Sequence, residues 1–262
     1  MNREFDHTKM NRVLALDSSG LVASVAVVEG NSFGSSLLAE YTVNYKKTHS
    51  QTLLPMLDEI VKMLELDLKT IDAVAVAAGP GSFTGLRIGS ATAKGLGLAL
   101  DKPLAAVPTL DGLAYNLYGT DKLICPLMDA RRDQVYTGIY EFREYRLERI
   151  EPPMAVNIRE IAEKLCALGR DVIFLGDGVP VYQGRLTEVL MAPLLAKGRR
   201  HFFAPAHLNK QRAGAIGTLA LQYLREGRLE TAAEHQPDYL RLSQAERERA
   251  EKETAEKKEP KG

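Results

Sequence analysis

Tryptophan is missing from this chain, cysteine occurs only twice in 262 residues, and aromatic residues of all kinds make up 6%. Cys125 and Cys166 stand far apart, and neither belongs to a Cys-x-x-Cys pair. A cysteine metal or redox site is excluded on that spacing, and both are expected as free, buried thiols. Excess charge is lacking too: 34 Lys and Arg balance 34 Asp and Glu. That balance argues against a strong electrostatic hold on nucleic acid by this chain alone. No apolar run reaches the roughly 20 residues that a membrane-spanning helix needs. The stretch from Met1 to Arg12 is polar and has no apolar signal core. These absences lead to the expectation of a cytoplasmic protein without membrane contact. A hydrophobic content of 45% over this length suffices for two modest domains or one large one.

What is present centres on residues 79–87, Gly-Pro-Gly-Ser-Phe-Thr-Gly-Leu-Arg. An apolar, strand-like run from Ile71 to Ala78 precedes them, and a small-residue, helix-like run from Thr84 to Leu100 follows. A strand that breaks at glycines and resumes as a helix leaves backbone N–H groups at the helix start, which suit an anion or a close backbone neighbour. Two phosphate motifs come close without matching. The dinucleotide fingerprint Gly-x-Gly-x-x-Gly fails because the glycines stand at 79, 81 and 85. The P-loop fails because no Gly-Lys-Ser/Thr follows at the required distance. Gly79, Gly81, Ser82, Thr84 and Gly85 therefore remain open between a tight structural turn and a weak nucleotide or anion contact.

Along the rest of the chain, Val13–Asp17 and Val22–Val28 read as a hairpin, with a third strand over Leu37–Val43. Ser50 to Leu66 carries apolar residues at helical spacing. The helix after the glycine loop holds Gly85, Gly89, Gly95 and Gly97, each costing up to about 1 kcal/mol relative to alanine. Such a smooth surface implies close packing, read here as a face between subunits. Strands are expected over Leu104–Val107, Leu123–Asp129, Gln134–Phe142, Tyr145–Ile150 and Val172–Leu175. Helices are expected over Thr109–Tyr118, Asn157–Leu168 and Lys210–Arg225. A hairpin followed by alternating strand and helix, twice over, gives two α/β lobes. Residues 1–11 form a polar extension, 12–103 the first lobe, 104–243 the second, and 244–262 a charged tail. The helix at 209–226 is assigned to the second lobe, with packing back on the first as an alternative.

Few residues announce chemistry. Asp17 ends the first strand before Ser18, and Asp177 lies between two glycines after a later strand, so the two are candidate counterparts. Each is equally a turn-capping carboxylate. His49 begins a helix, but the i+4 position that a two-histidine metal site requires is Leu53. Arg131 and Arg132 close a strand and read as solvated turn cations. No catalytic and no metal-ligating constellation emerges.

Three stretches carry a family resemblance. They are Leu14-Ala-Leu-Asp-Ser-Ser, His49-Ser-Gln-Thr-Leu-Leu-Pro and Ala78-Gly-Pro-Gly-Ser-Phe-Thr-Gly-Leu-Arg-Ile-Gly, supported by Met128-Asp-Ala-Arg-Arg-Asp-Gln-Val-Tyr and Gly176-Asp-Gly. Over about residues 12 to 242 the chain resembles the bacterial TsaB (YeaZ) family. The resemblance implies an actin-like, sugar-kinase-like (ASKHA) fold of two lobes, each a mixed sheet flanked by helices. It implies a non-catalytic subunit in threonylcarbamoyladenosine modification of tRNA, paired with the catalytic paralogue TsaD and the ATPase TsaE. ATP or ADP and the metal would then sit in those partners, tRNA would be met only through the complex, and the chain alone would form a homodimer. The paired surface would use the two N-terminal helices, here Leu53, Leu57, Ile60, Leu64, Arg87, Gly89, Ala93 and Leu96. Gly89→Leu or Ala93→Glu would then break assembly and spare the fold. The alternatives are an O-sialoglycoprotein endopeptidase-like metallopeptidase and an independent ATP-binding enzyme of the same fold.

Overall fold

The computed structural model describes residues 8–45 and 48–240. Most of the polar extension and the charged tail from 244 onward lie outside the described residues.

Strand β1 (Asn11–Asp17) sits at the centre of the first sheet. It pairs antiparallel with β2 (Ala23–Asn31) and parallel with β4 (Ala73–Gly79). Strand β3 (Gly34–Val43) extends the meander beyond β2, and β5 (Leu104–Pro108) runs parallel to β4. The order is β3-β2-β1-β4-β5. Its period-2 alternation divides β1 between two cores. Leu14 and Leu16 face helices α1 (His49–Met63) and α2 (Phe83–Leu100), whereas Val13 and Ala15 face α6 (Ala213–Arg225).

The second sheet repeats this plan. Strands β6 (Leu123–Asp129), β7 (Gln134–Arg143) and β8 (Arg146–Asn157) form the antiparallel meander. Strands β9 (Val172–Leu175) and β10 (His201–Phe203) continue in parallel from β6, in the order β10-β9-β6-β7-β8. Helices α4 (Ile158–Leu168) and α5 (Val179–Ala196) cover one face, and α3 (Thr109–Tyr115) covers the other. Two mixed sheets of one topology, each flanked by helices, make an actin-like, sugar-kinase-like α/β fold. No helix among the described residues is long and apolar enough to cross a membrane.

The lobe boundary differs from the sequence reading by one strand. β5 was placed at the start of the second lobe, yet it hydrogen-bonds into the first sheet. It is the edge strand of that sheet, and its Leu104-Ala-Ala-Val run is apolar because helices cover both faces of a parallel pair. The second lobe thus begins at α3. Helix α6, after crossing the second lobe in sequence, returns to the first. Its first turn is capped by side chains of that lobe: Ala213 N donates to Ser24 Oγ at 2.9 Å and Gly214 N to Glu40 Oε1 at 2.9 Å. These acceptors satisfy N–H groups that a helix start leaves without partners, and the Glu40 charge suits the positive helix end. Glu40 also holds Arg212.

α5 and β10 have no counterpart in the sequence reading. Both cysteines are free; Cys125 is fully buried, its thiol pushed up to about 12 by burial, and Cys166 is half-buried.

Ile216 is fully buried, and its side chain fills the space a β-carbon on Gly112 would need, so it pins α6 against α3. Ile216→Ala is expected to cost about 2–5 kcal/mol, measurable by urea unfolding.

Candidate functional site

The ends of β1 and β4 and the start of α2 converge on one cleft. Asp17 is buried; it accepts hydrogen bonds from Ser19 N at 2.9 Å and Ser19 Oγ at 2.6 Å. The turn it opens rests directly on α2. Ser18 Oγ donates to Gly85 O at 2.8 Å, and Ser82 N donates to Ser19 O at 2.7 Å. β-carbons on residues 81 and 85 would overlap the carbonyl oxygens of Ser19 and Ser18, and one on residue 89 would lie 2.5 Å from Ser18 Oγ. Gly81 and Gly85 are thus required by backbone contact inside the lobe, and Gly89 by contact with the Ser18 side chain. Of the two readings of this loop, the structure displays the close backbone neighbour: Ser82 N is taken by Ser19, and Gly85 N donates to the Ser82 side chain at 3.3 Å. Thr84 is exposed on the first turn of α2. Gly79 has φ 129, and a β-carbon there would overlap the carbonyl of Asp238, whose N–H donates to Ala78 O at 2.7 Å.

That last contact belongs to a strap, residues 228–240, which crosses α2 and ends in the cleft. The Tyr239 ring meets Phe83 with centroids 5.0 Å apart, and Arg87 stacks on the other partner, its guanidinium 3.9 Å from the Phe83 centroid. The cleft holds about 570 Å³ between the lobes. Ser19, His49, Phe83 and Tyr239 line it from the first lobe, and Asp129 and Asp177 from the second. His49 Nε2 lies 2.8 Å from Gly20 O, which fixes the turn from the side of α1. Arg131, in the β6–β7 turn at the cleft wall, pairs with Asp129 at 3.4 Å. Arg131, Arg132 and Asp133 all adopt left-handed backbone (φ 63, 55 and 57), a strained run of the kind that clusters at ligand sites.

Asp17 lies buried beneath the cleft, near enough to Asp177 of the cleft lining for their charges to interact. Burial raises the Asp17 carboxyl from 3.8 to about 6; the Ser19 hydrogen bonds oppose this, and the like charge of Asp177 adds to it. Burial also raises Asp177, against the pull of Lys210, and its Oδ1 is buried with no hydrogen-bond partner. Gln211, buried beside Gly20, likewise has both amide atoms unpartnered. No sequence signal marked Gln211 or the strap, since both act through contacts distant in sequence. Among the described residues no three His, Cys, Asp or Glu side chains form a group that could hold a metal ion.

The expected docking residues divide sharply. Leu53, Leu57, Ile60, Gly89 and Ala93 are buried within the first lobe, four of them in its core with Leu14 and Val76. They face their own sheet and are not available to a partner, so the assignment of these five to an outer surface is corrected. Substituting Gly89 or Ala93 with Leu or Glu would disrupt the fold itself. Leu64 and Leu96 are half-buried at the edge of the same core, and Arg87 is exposed.

The family model for TsaD, tRNA N6-adenosine threonylcarbamoyltransferase, matches residues 36–249. The tRNA threonylcarbamoyladenosine biosynthesis protein TsaB of Bacillus subtilis (strain 168) is 34% identical over 236 residues, which are 89% of this chain and 96% of that protein. The chain belongs to the TsaB family. The TsaB protein of Escherichia coli (strain K12) is 32% identical over 176 residues, covering 64% of this chain and 71% of that one. YeaZ from Pseudomonas aeruginosa superposes with a TM-score of 0.69 at 26% identity, covering 88% of this chain and all of that one. Membership places the chain in tRNA threonylcarbamoyladenosine biosynthesis.

The raised Asp17 gives a pH prediction. A carboxyl whose folded pKa exceeds its unfolded value holds its proton more tightly in the fold. The stability due to that proton is complete below pH 3.8 and is lost as pH climbs through about 6. The loss amounts to about 3 kcal/mol at one pKa unit per 1.36 kcal/mol. Asp17→Asn cannot ionise. It is expected to unfold at higher denaturant than the parent at pH 8, with the two converging near pH 4.

Proposed function

We propose that this chain is a non-catalytic scaffold subunit required for threonylcarbamoyladenosine modification of tRNA in the cytoplasm. It pairs with the catalytic paralogue TsaD and the ATPase TsaE, and forms a two-fold homodimer when the paralogue is absent. Catalytic metal and nucleotide belong to the partners, and tRNA is modified only in the complex.

The outer stripe of α2 carries this reading. Thr84, Arg87, Ala91, Gly95 and Leu98 are all exposed and follow one another at intervals of three or four residues, so they share a single helix face. Leu54 and Met63 of the neighbouring α1 are also more than half exposed. A β-carbon on Gly95 would meet nothing within 4 Å, unlike those on the glycines that serve the lobe's own packing. A helix glycine with no internal reason costs about 1 kcal/mol relative to alanine. Its place between the exposed Ala91 and Leu98 suits the close approach of a second backbone. Exposed apolar area gives a stable pair only after association costs are subtracted, and a stripe of this kind supports an isologous homodimer as well as a paralogue of the same fold.

The experiment is reconstitution of tRNA modification with and without this chain. Omission is expected to abolish product, and the chain alone is expected to yield none; modification without it would overturn the proposal. Ala91→Glu and Leu98→Asp lie on the surface and are expected to keep the parent melting temperature while abolishing co-sedimentation with TsaD. Gly95→Ala is expected to stabilise the isolated chain by up to about 1 kcal/mol while weakening assembly, read by thermal melting and sedimentation.

A further inference from the structure

The end of the molecule away from the cleft has features that neither the cleft nor the α1–α2 face uses. Strand β7 begins at Gln134, beside the cleft turn, and ends ten residues later at a hairpin tip, about 30 Å away. Four aromatic rings meet there in a chain already poor in them. Tyr115 of α3 and Tyr118 just beyond it have centroids 5.5 Å apart. Phe142 of β7 lies 5.9 Å from Tyr115 and 5.3 Å from Tyr118. Tyr145, in the β7–β8 turn, stacks on Tyr118 at 6.0 Å and 30°. The two outermost rings are open to water: Tyr118 is 54% exposed and Tyr145 70%.

The backbone under Tyr145 adds to the case. Glu144 and Tyr145 have φ 47 and 62, the pair of left-handed residues that a tight hairpin turn needs and that Asn-Gly fills best. A bulky side chain at that position is uncommon and strained. Forming the hairpin alone does not call for a tyrosine here, whereas presenting its ring on Tyr118 does.

Arg149 stands on the ring-bearing side of the sheet, opposite Tyr140, whereas Arg143 and Arg170 reach Glu141 on the other face of β7. Arg149 is held at two points by Asp111, at 3.0 and 2.5 Å. Arg143 and Arg170 both bind Glu141, each at 2.5 Å. The anchoring carboxylates of Asp111 and Glu141 are 8% and 6% exposed, while all three arginines are more than 40% exposed. At these pairs the charge that faces water is positive. Arg146 and Arg225 have no carboxylate partner among the described residues, and Arg225 is close enough to act on the Tyr115 phenol. Glu144, Glu148 and Glu226 are exposed nearby, so the patch is not a strong basic field. It offers open rings with the Arg149 guanidinium held in fixed orientation on the same side of the sheet.

We propose that this tyrosine–arginine end contacts the tRNA, with an unstacked base on the Tyr118–Tyr145 pair and neighbouring arginines on its phosphates. Sequence-tolerant RNA recognition relies on this combination of aromatic platform and guanidinium planes. A protein partner suits the patch less well, because charge is depleted at the centre of protein interfaces and here it interrupts the rings. The inference rests on the tRNA-modification reading.

The test uses the assembled complex with tRNA. Tyr145→p-benzoylphenylalanine is expected to give, on irradiation, a cross-linked adduct that ribonuclease digests. An adduct that only protease digests, or none at all, would overturn the proposal. Tyr118→Ala with Tyr145→Ala is expected to raise the KM for tRNA about 5- to 150-fold with kcat unchanged, at the roughly 1–3 kcal/mol that one stacked base contributes. Tyr118→Phe with Tyr145→Phe is expected to keep the parent KM. An unchanged KM in the alanine variant would also overturn the proposal, while continued dependence of modification on the chain would leave the functional reading standing. Modification that proceeds without the chain would instead remove the reading on which the inference rests.

Discussion

Two carbonyl oxygens, those of Ser18 and Ser19, occupy the space where β-carbons on residues 85 and 81 would lie. The rest of the first lobe depends on this backbone-to-backbone contact. It brings the β1–β2 turn down on the start of α2, so Ser19 O takes the Ser82 N–H and Ser18 Oγ reaches Gly85 O. It sets how closely α2 lies to β4, and thereby which residues of α1 and α2 enter the core. It also consumes N–H groups that a helix start would otherwise offer to an anion. The second lobe uses the same device. A β-carbon on Gly176 would overlap Leu127 O, and Gly178 N donates to that oxygen at 2.9 Å. Each sheet thus ends at the cleft in a glycine turn pressed against a backbone carbonyl; Asp17 adjoins the carbonyls of the first contact, and Asp177 lies within the glycine turn of the second.

Much of this architecture is legible in the sequence, and the exceptions have physical reasons. The apolar runs of β1, β2, β4 and β6 and the Asn157 cap of α4 are local signals, and the structure places them within a few residues of where the sequence does. β5 looked like the opening of a new lobe because prolines bracket it, but strand pairing is decided by a neighbour thirty residues away. α5 was invisible because it has no side-chain cap, carries prolines at 180 and 193, and leaves its apolar residues on more than one face. Helical periodicity identifies an apolar stripe without saying what covers it. Leu53, Leu57 and Ile60 form such a stripe, and their own sheet covers it.

The candidate site was less legible than the fold for the same reason. Asp17 and Asp177 are 160 positions apart, and their meeting depends on how two lobes close on each other. The strap that carries Tyr239 has no regular secondary structure, so no periodic pattern announces it. The glycines were visible as a cluster, yet composition alone did not separate those beneath a neighbouring carbonyl from those facing water. The distinction matters, because Gly85 and Gly89 answer to the fold whereas Gly95 answers to nothing inside it.

This distinction bears on how a fold of this kind divides its labour. Asp17 and Asp177 are kept at a cost, since burial raises both and the Asp177 Oδ1 has no partner. A group of buried, unsatisfied polar atoms is a common mark of a ligand site, so the cleft has the polarity of a binding site. What it lacks among the described residues is a third ligating side chain of the kind that would complete a metal centre. The outer stripe of α2 has a different character: Ala91, Gly95 and Leu98 are exposed and small or apolar, next to an Arg87 that stacks on Phe83. The docking proposed for this chain rests on that exposed helix. The glycine at 95 makes the point at the level of one residue. Alanine would stabilise that helix, its β-carbon would meet nothing within 4 Å among the described residues beyond the helix's own backbone, and the helix carries glycine.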